Sequence, residues 1–339
     1  MSESRLFRVA MAGAGAISRN HLLAWDKLEN AKVVCLCDPN IERARGLGAE
    51  FGIEAVYPDL STMLAAHELD AVDIATPRET HAGLVLECVA HGLPVLCQKP
   101  FAPTYGQAKD LIEAIDGRVR VMVHENWRFR TFYRRISRLL REGVLGEIKQ
   151  CSISVRRSGL LPAPDGTIPA LKRQPMMRTE PRLMIAETLI HHIDVVRWLL
   201  GSLELRGAVA SSGSPHVIGE ETATLLFSAA GNLPVIVSGS NCVAGFDPRA
   251  GDHFELLGTR NSLSYANGLL TVWGNDNFTE AFDEDIAYQA SFDGAIAHFI
   301  HALSRDEPFE TNPEDNLNVL RLVEDAYEYL QAGRRDSDV

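Results

Sequence analysis

The sequence lacks both an excess of positive charge and a long apolar segment. It contains 33 lysines and arginines against 45 aspartates and glutamates, so the formal net charge of its 339 residues is −12. Because binding to a phosphate backbone is driven by basic surface, no nucleic-acid partner is expected. No run of roughly 18 apolar residues occurs, so no membrane span is expected either. Internal repeats and low-complexity segments are also missing.

Cysteine is scarce, and its spacing argues against a cross-linked or metal-bound framework. The six cysteines form no CxxC pair; they are Cys35, Cys37, Cys88, Cys97, Cys151 and Cys242. Scattered cysteines of this kind are typical of a cytosolic protein in which they stay reduced. The first residues have neither the basic nor the apolar region of a secretory signal, so we expect a cytoplasmic protein.

The opening of the chain has the pattern that a dinucleotide site needs. An apolar run precedes the glycine-rich segment 13–18, and a helical pattern follows it. A second apolar run comes next and ends at Asp38. Gly13 permits a tight turn, and Gly15 lets backbone N–H groups approach a pyrophosphate at a helix N-terminus, where the helix dipole favours negative charge. A glycine triplet alone is a weak signal, but between a strand and a helix it predicts such a site.

Asp38 is expected to decide which dinucleotide binds. At the end of the second strand its carboxylate can accept hydrogen bonds from both ribose hydroxyls, whereas a 2′-phosphate would be repelled. NAD is therefore favoured. NADP stays possible because Arg43 and Arg45 follow Asp38 closely in the sequence. The alternative interpretation is that the glycines only form a turn and that Asp38 caps a helix starting near Pro39.

Short apolar runs then alternate with helical stretches as far as residue 123, which predicts a parallel sheet with right-handed crossovers. The expected strands are 55–57, 70–75, 94–97 and 119–123, and the expected helices are 60–66, 79–91 and 105–115. In such sheets ligands gather at the carboxyl ends of the strands. Polar segments follow three of these strands: Thr76-Pro77, Gln98-Lys99-Pro100 and His124-Glu125-Asn126.

The second half of the chain predicts one open, mainly antiparallel sheet. Its expected strands are 147–157, 205–211, 221–228, 234–243, 252–258, 260–265 and 268–273, and the expected helices are 132–141, 183–200, 285–304 and 313–331. Residues 159–181 hold five prolines and little periodicity. We interpret this segment as a flap over the substrate, with disorder as the alternative.

The fold class predicted is therefore α/β, in two domains. We expect an N-terminal Rossmann domain with a parallel, doubly wound sheet at 1–126. A C-terminal α/β domain with the open antiparallel sheet is expected at 127–332, followed by a polar tail at 333–339. The last helix either stays with the second domain or packs back on the first. The length and the 46% hydrophobic content allow each domain its own core.

Two groups of residues can carry chemistry. Lys99 can stabilise negative charge developing on a substrate hydroxyl, unless it is only a surface lysine in a turn. Glu187, His191 and Asp194 fall at i, i+4 and i+7 of the predicted helix and so share a face, where the histidine can take a proton near neutral pH. The alternatives are a polar stripe on a core helix, or a Glu-His metal pair that no further ligand cluster supports. His192 points elsewhere on the same helix.

Together these segments resemble the glucose-fructose oxidoreductase / inositol dehydrogenase / rhizopine-catabolism (Gfo/Idh/MocA) family. The resemblance covers nearly the whole chain and is carried by Gly13-Ala14-Gly15-Ala16-Ile17-Ser18, Cys37-Asp38-Pro39, Ala75-Thr76-Pro77 with His81, Gln98-Lys99-Pro100, and Glu187-Thr188-Leu189-Ile190-His191-His192-Ile193-Asp194. It implies an NAD(P)-dependent sugar or polyol oxidoreductase, commonly dimeric or tetrameric through the second sheet. By match, Lys99 is the motif lysine and His191 the catalytic histidine.

Two residues depart from the family pattern. The family usually has Glu before the motif lysine, and Gln98 cannot form an ion pair with Lys99. The carboxylate four residues before the histidine is usually Asp, whereas Glu187 is one methylene longer, which would shift the substrate geometry. The segments Cys97–Phe101 and Val123–Asn126 resemble the subgroup that contains D-apiose dehydrogenase.

The sequence therefore predicts an NAD-dependent dehydrogenase that acts on a hydroxyl of a pentose-sized sugar or a polyol, as a homodimer or homotetramer. His191 would be the general base, Lys99 would stabilise the alkoxide, and Glu187 would assist as the third catalytic residue. The expected cofactor-binding residues are Gly13, Gly15, Ala16, Ile17, Asp38, Thr76, Pro77, His81, Gln98, Lys99 and Asn126. The expected substrate-binding residues are Lys99, Asn126, Arg128, Glu187, His191 and His192. No metal is expected.

Two other functions stay open at this point. One is a redox-neutral enzyme with tightly held NAD, such as a glycosidase working through a transient keto sugar. The other is a non-catalytic NAD- or sugar-sensing regulator. The presence of both Lys99 and His191 argues against a regulator, because a sensor does not need a proton-transfer pair.

Overall fold

The computed structural model describes residues 6–337, with side chains described as far as residue 333. The chain forms two compact units: the first comprises Met1–Phe129 and Tyr288–Leu320, and the second comprises Arg130–Ala287 and Arg321–Val339. Within the described range, no helix is both long enough and apolar enough to cross a membrane. The last two residues of the expected tail, 338 and 339, lie outside that range.

The first unit contains a six-stranded parallel sheet. Its strands are β1 (Phe7–Ala12), β2 (Ala31–Cys37), β3 (Ala55–Tyr57), β4 (Ala71–Ile74), β5 (Val95–Gln98) and β6 (Val121–His124). They lie in the order β3-β2-β1-β4-β5-β6, so the order reverses between β1 and β4, as in a Rossmann fold. The predicted parallel sheet is confirmed.

Helices follow the strands of this sheet along the chain, and the central strands are mostly buried. These helices are α1 (Ser18–Trp25), α2 (Ile41–Phe51), α3 (Leu60–Ala66), α4 (His81–Ala90) and α5 (Tyr105–Ile115). Every residue of β4 is buried, as expected for a covered parallel strand. The core of the unit includes Trp25, Leu36, Met122, Phe292 and Phe299.

The second unit contains an eight-stranded mixed sheet. Its strands are β7 (Ile148–Arg156), β8 (Glu204–Ser211), β9 (Thr222–Ala229), β10 (Leu233–Ser240), β11 (Asp252–Gly258), β12 (Asn261–Ala266), β13 (Leu269–Gly274) and β14 (Phe278–Ala281). They lie in the order β14-β13-β12-β11-β7-β10-β9-β8. Only β7 and β10 pair in parallel, so the predicted open, mainly antiparallel sheet is confirmed. Strand β14 was not predicted.

The remaining helices are α6 (Thr131–Arg141), α7 (Pro169–Arg173), α8 (Ile190–Leu200), α9 (Glu284–Arg305) and α10 (Pro313–Ser337). Residues of α9 from Tyr288 onward and of α10 up to Leu320 belong to the first unit. Helix α10 also takes up most of the segment expected to be a polar tail, so the expected helix end at 331 is wrong.

The proline-rich segment 159–181 has regular structure, so the alternative of disorder is wrong. It contains α7 and a 3₁₀ helix at Pro175–Arg178. Its apolar side chains form a small core with Leu183 and Val217; they are Leu160, Ala170, Leu171 and Met177. Pro169 and Pro175 start these two short helices, where a missing N–H group costs no hydrogen bond. The role of this segment as a flap stays a prediction.

The helix predicted over 183–200 is divided in two. Met184–Leu189 form a π-helix, and α8 begins at Ile190. A π-turn contains one residue more than an α-turn, so the α-helical spacing assumed between Glu187 and His191 does not hold. The prediction of a single regular helix is therefore wrong. Single π-turns occur frequently at functional sites.

Glu220 anchors the start of this π-helix. Its backbone carbonyl accepts a hydrogen bond from the N–H of Met184 at 2.9 Å. Its Oε1 accepts from the N–H groups of Leu183 at 3.2 Å and Ile185 at 3.0 Å, and from the hydroxyl of Tyr327 at 2.6 Å. Burial, and next the charge of Glu220, raise the pKa of Tyr327 far above its usual range, so this phenol remains a donor.

We expect Glu220→Ala to lower the free energy of unfolding by about 2–4 kcal/mol, because it leaves three buried donors without an acceptor. Glu220→Gln keeps one oxygen and should lose less. Urea denaturation measures both, with Glu204→Ala, at an exposed position, as the control. An unchanged unfolding midpoint for Glu220→Ala would contradict the anchoring role.

Candidate functional site

The turn after β1 is built around Gly13. Its φ is +104°, and an added Cβ would lie 2.3 Å from the carbonyl oxygen of Ala75 at the end of β4. The N–H of Gly13 donates to the carbonyl of Cys37 at the end of β2, at 2.7 Å. Only glycine can take this conformation so close to another main chain, and the turn is thereby tied to two neighbouring strands.

Gly15 has the opposite surroundings, since an added Cβ there would meet nothing within 4 Å. Helix α1 begins three residues later without a side-chain cap on Ile17 and without an acidic residue in its first turn. The positive end of α1 is thus left for an anion. Ala16 is exposed and Ile17 is half-buried beside this space. The open space next to Gly15 fits a pyrophosphate, which a side chain at this position would obstruct.

Asp38 joins the glycine turn to α2. Its Oδ2 accepts a hydrogen bond from the N–H of Ala14 and its Oδ1 from the N–H of Asn40, each at 2.8 Å. The cap of α2 is Asn40, which accepts from the N–H of Arg43, so the alternative that Asp38 caps this helix is wrong. A carboxylate has about four acceptor positions, so Asp38 can still accept from ribose hydroxyls.

His81 connects the segments that follow β4 and β5. Its Nε2 lies 3.0 Å from the carbonyl oxygen of Thr76, and its Nδ1 lies 2.9 Å from that of Pro100. The ring is completely buried, and this burial lowers the pKa of His81. His81 therefore lies between the main chain at Thr76 and at Pro100, and the single N–H of its neutral ring can donate to either carbonyl. The carbonyl of Pro77 accepts from Thr80 and closes the same turn.

Gln98 and Lys99 lie at the end of β5. Oε1 of Gln98 accepts a hydrogen bond from the N–H of Lys99 at 2.7 Å, and its Nε2 lies 3.2 Å from Nε2 of His21. His21 in turn bonds to Asp73 of β4 at 2.8 Å. Neither His21 nor Asp73 was among the predicted site residues. The available signal was an aspartate inside the apolar run 70–75, because a carboxylate in a buried strand needs buried donors.

Asn126 and Arg128 lie after β6 and bond within the first unit. Nδ2 of Asn126 donates to Oγ of Ser291 at 2.7 Å. The guanidinium of Arg128 donates to Asp315 at 2.6 Å and to the carbonyl of Glu310 at 3.1 Å. Both side chains are buried, so they fix the first unit's own structure. Their roles toward a ligand stay predictions.

The predicted proton-transfer residues lie on the π-helix and on α8. Glu187 is half-buried in the π-helix, whereas His191 is 7% exposed and Asp194 is completely buried on α8. The helix thus holds a nearly buried imidazole with a buried carboxylate three residues later. This arrangement can orient a histidine for proton transfer.

His192 belongs to a buried polar cluster of the second unit. Its Nε2 lies 2.9 Å from Oδ1 of Asp252, and its Nδ1 lies 3.1 Å from the carbonyl of Thr188. Oδ2 of Asp252 accepts from Tyr133 at 2.9 Å and from Arg130 at 3.1 Å. Burial alone would raise the pKa of Asp252, but the charges of His192 and Arg130 hold it far below its usual range. His192 thereby connects α8 to β11 and α6.

The Rossmann sheet, the start of α1 without a side-chain cap and the acceptor Asp38 are typical of an NAD-binding protein. Residues 7–125 match the family described as an oxidoreductase family with an NAD-binding Rossmann fold, and residues 133–264 match the Gfo/Idh/MocA C-terminal domain. The chain belongs to the Gfo/Idh/MocA family.

Three similar proteins span nearly the whole chain. D-apiose dehydrogenase of Paraburkholderia graminis is 31% identical, over 97% of this chain and 88% of its own length. Inositol 2-dehydrogenase 4 of Saccharopolyspora erythraea is 28% identical, over 87% and 89% respectively. An oxidoreductase from Agrobacterium radiobacter, solved with NAD+, L-tartaric acid and magnesium, is 28% identical with a TM-score of 0.89, over 96% and 97%.

The two glycines are expected to respond differently to alanine. Gly13→Ala should lower the melting temperature, because its Cβ meets the Ala75 carbonyl. Gly15→Ala should leave the melting temperature unchanged and weaken NAD binding about tenfold or more, a loss of roughly 1.4 kcal/mol. Thermal denaturation and calorimetric titration with NAD measure the two effects. Unaltered NAD affinity in Gly15→Ala would show that the pyrophosphate does not occupy this space.

Proposed function

We propose that the protein oxidises one hydroxyl of a sugar or polyol with NAD, and that a pentose such as D-apiose is the first candidate substrate. The observation that carries the proposal is the open space beside Gly15 at the uncapped start of α1, with Asp38 facing the same turn. The similar proteins named D-apiose dehydrogenase and inositol 2-dehydrogenase support a polyhydroxylated substrate.

The proton chemistry is assigned to His191 and Lys99. NAD, when bound, supplies the acceptor for the hydride. His191 accepts the proton of the reacting hydroxyl. Lys99 donates a hydrogen bond to the oxygen as negative charge develops on it. Glu187 and Asp194 hold His191 or the substrate in position.

NAD is proposed as the working cofactor in preference to NADP. Both oxygens of Asp38 already accept backbone hydrogen bonds, so this carboxylate is held in place and charged beside the turn. A 2′-phosphate at the ribose would face that charge. Arg43 lies 4.0 Å from Asp38 and is more than half exposed, which limits how far it can offset the repulsion.

The test is NADH formation, followed by absorbance, with NAD or NADP and a panel of aldoses, inositols and sugar acids that includes D-apiose. We expect turnover with NAD on one of these compounds. His191→Asn should lower kcat by about 10²–10⁴-fold, and Lys99→Ala by about 10²–10³-fold.

The matched controls are His301→Asn and Lys109→Ala, which change the same residue types at exposed positions. Turnover within a few-fold of wild type in both His191→Asn and Lys99→Ala would refute the proposed mechanism. Sugar conversion without net NADH would favour the redox-neutral alternative. If no compound of the panel gives turnover although the protein still binds NAD, the regulator would be favoured.

A homodimer or homotetramer through the second sheet is proposed as well. The outer face of this sheet exposes apolar side chains on its strands: Val209, Leu226, Leu269 and Trp273. Val209 and Leu226 lie at one end of the sheet, on β8 and β9, and Leu269 and Trp273 lie toward the other end, on β13, and we propose them as contact residues of the assembly. Light scattering on the purified protein should give two or four times the chain mass of 37.3 kDa, and a monomeric mass would refute this part of the proposal.

A further inference from the structure

A buried carboxylate in the first sheet is held by two donors from one helix. Asp73 lies in β4 with its side chain completely buried. Its Oδ2 accepts hydrogen bonds from Nε1 of Trp25 at 2.7 Å and from Nδ1 of His21 at 2.8 Å, both on α1. A buried carboxylate is stable only when donors face it. Nδ1 of His21 therefore carries a proton.

The other ring nitrogen of His21 faces Gln98. Nε2 of His21 lies 3.2 Å from Nε2 of Gln98, while Oε1 of Gln98 lies 2.7 Å from the backbone N–H of Lys99. Because a backbone N–H can only donate, the amide directs its oxygen at Lys99 and its NH2 group at His21. Nε2 of His21 accepts that hydrogen bond, so the ring is neutral.

These groups form one hydrogen-bonded series, which we call the polar chain: Asp73, His21, Gln98 and the backbone N–H of Lys99. The hydrogen bonds of each group determine the protonation state or orientation of the next group. Asp73 selects the tautomer of His21, the tautomer selects the orientation of the Gln98 amide, and that amide fixes the main chain where β5 ends. The reverse orientation would place two acceptors together at His21 and two donors together at Lys99.

We propose that Gln98 is a positioning residue for Lys99, and that its amide allows the polar chain to form with an uncharged His21. The catalytic part of this role rests on the proposed function, since it requires Lys99 to act on the substrate. A glutamine here was expected only to remove an ion pair with Lys99. The structure gives its amide two other tasks, one toward His21 and one toward the main chain.

A carboxylate at position 98 would change the protonation of the polar chain. It can accept from the N–H of Lys99 and from His21 only when Nε2 of His21 also carries a proton. Asp73 bonds to the His21 ring, and the ring centroid of His124 lies 4.3 Å from that of His21. Two carboxylates would favour the imidazolium, and a charged His124 would oppose it.

In Gln98→Glu the added carboxylate stabilises the doubly protonated ring of His21 in the folded protein. The polar chain of this variant is therefore intact at low pH, where Nε2 carries its proton, and broken at high pH, where the carboxylate would face an unprotonated Nε2. In wild type the polar chain needs no such proton, so it stays intact as pH rises through the neutral range.

The test compares wild type, Gln98→Glu and the control Gln107→Glu, which adds the same charge at an exposed position of α5. Nitrogen-15 NMR of the histidine rings reads the state of His21. Its signal is identified by proximity of its Nδ1 proton to the indole proton of Trp25, since both donate to one oxygen.

Wild type and the control should show a neutral His21 protonated on Nδ1, and Gln98→Glu should show a doubly protonated ring near pH 7. In the same variant, kcat should stay within a few-fold of wild type at about pH 6 and fall tenfold or more by about pH 8.5. KM should change little, because Gln98 acts through Lys99.

Two results would overturn the proposal. One is a wild-type His21 protonated on Nε2, which needs no variant to detect and remains informative if Gln98→Glu fails to fold. The other is a Gln98→Glu protein whose His21 state and pH profile match those of the control. If the wild-type NMR spectrum shows His21 neutral and protonated on Nδ1 but the protein forms no NADH from any sugar, the proposed function is refuted and the polar chain is still supported.

Discussion

The close approach of Gly13 to the end of β4 is the constraint on which the cofactor half of the protein depends. The same turn is tied to β2 through the carbonyl of Cys37 and through Asp38, which accepts from Ala14. Three strand ends are thus joined at one point without using Gly15 or the first turn of α1. The space beside Gly15 at the start of α1 stays open, since an added Cβ at Gly15 would meet nothing within 4 Å.

Each unit contains a buried carboxylate–histidine pair close in the chain or in space to a residue that we propose as catalytic. In the first unit Asp73 pairs with His21, which bonds to Gln98, the residue before Lys99. In the second unit Asp252 pairs with His192, the residue after His191. A buried ion or polar pair fixes geometry because breaking it leaves an unpaired group in a dry interior. Each unit therefore holds rigidly the residue next to one of the proposed catalytic side chains, Lys99 or His191.

The sequence predicted the parts of the fold that depend on apolar periodicity and on turn-forming residues. Alternating apolar runs predicted both sheets, and the glycine turn followed by Asp38 predicted the dinucleotide site. Features set by contacts between distant residues were missed. The π-helix depends on Glu220, far along the chain from Met184, and α-helical spacing cannot reveal it. The packing of the proline-rich segment depends on Val217 in the same way.

The family pattern likewise named Lys99 and His191 but not what surrounds them. Comparison with the family pattern indicated only that Gln98 removes an ion pair with Lys99. The orientation of its amide could be read only once His21 and Asp73 were placed in space. The side chains of Arg128 and His192 bond to Asp315 and Asp252, which residue type did not reveal. Their predicted contacts with a substrate stay predictions.

The central claim is that hydride passes from a substrate carbon to NAD. The most direct measurement is a single turnover with a sugar or polyol that carries deuterium at the reacting carbon, followed by mass analysis of the nucleotide. The account predicts NADH with one deuterium per molecule, formed in step with the oxidised product. Conversion of the substrate with unlabelled NADH, or with no NADH at all, would contradict it.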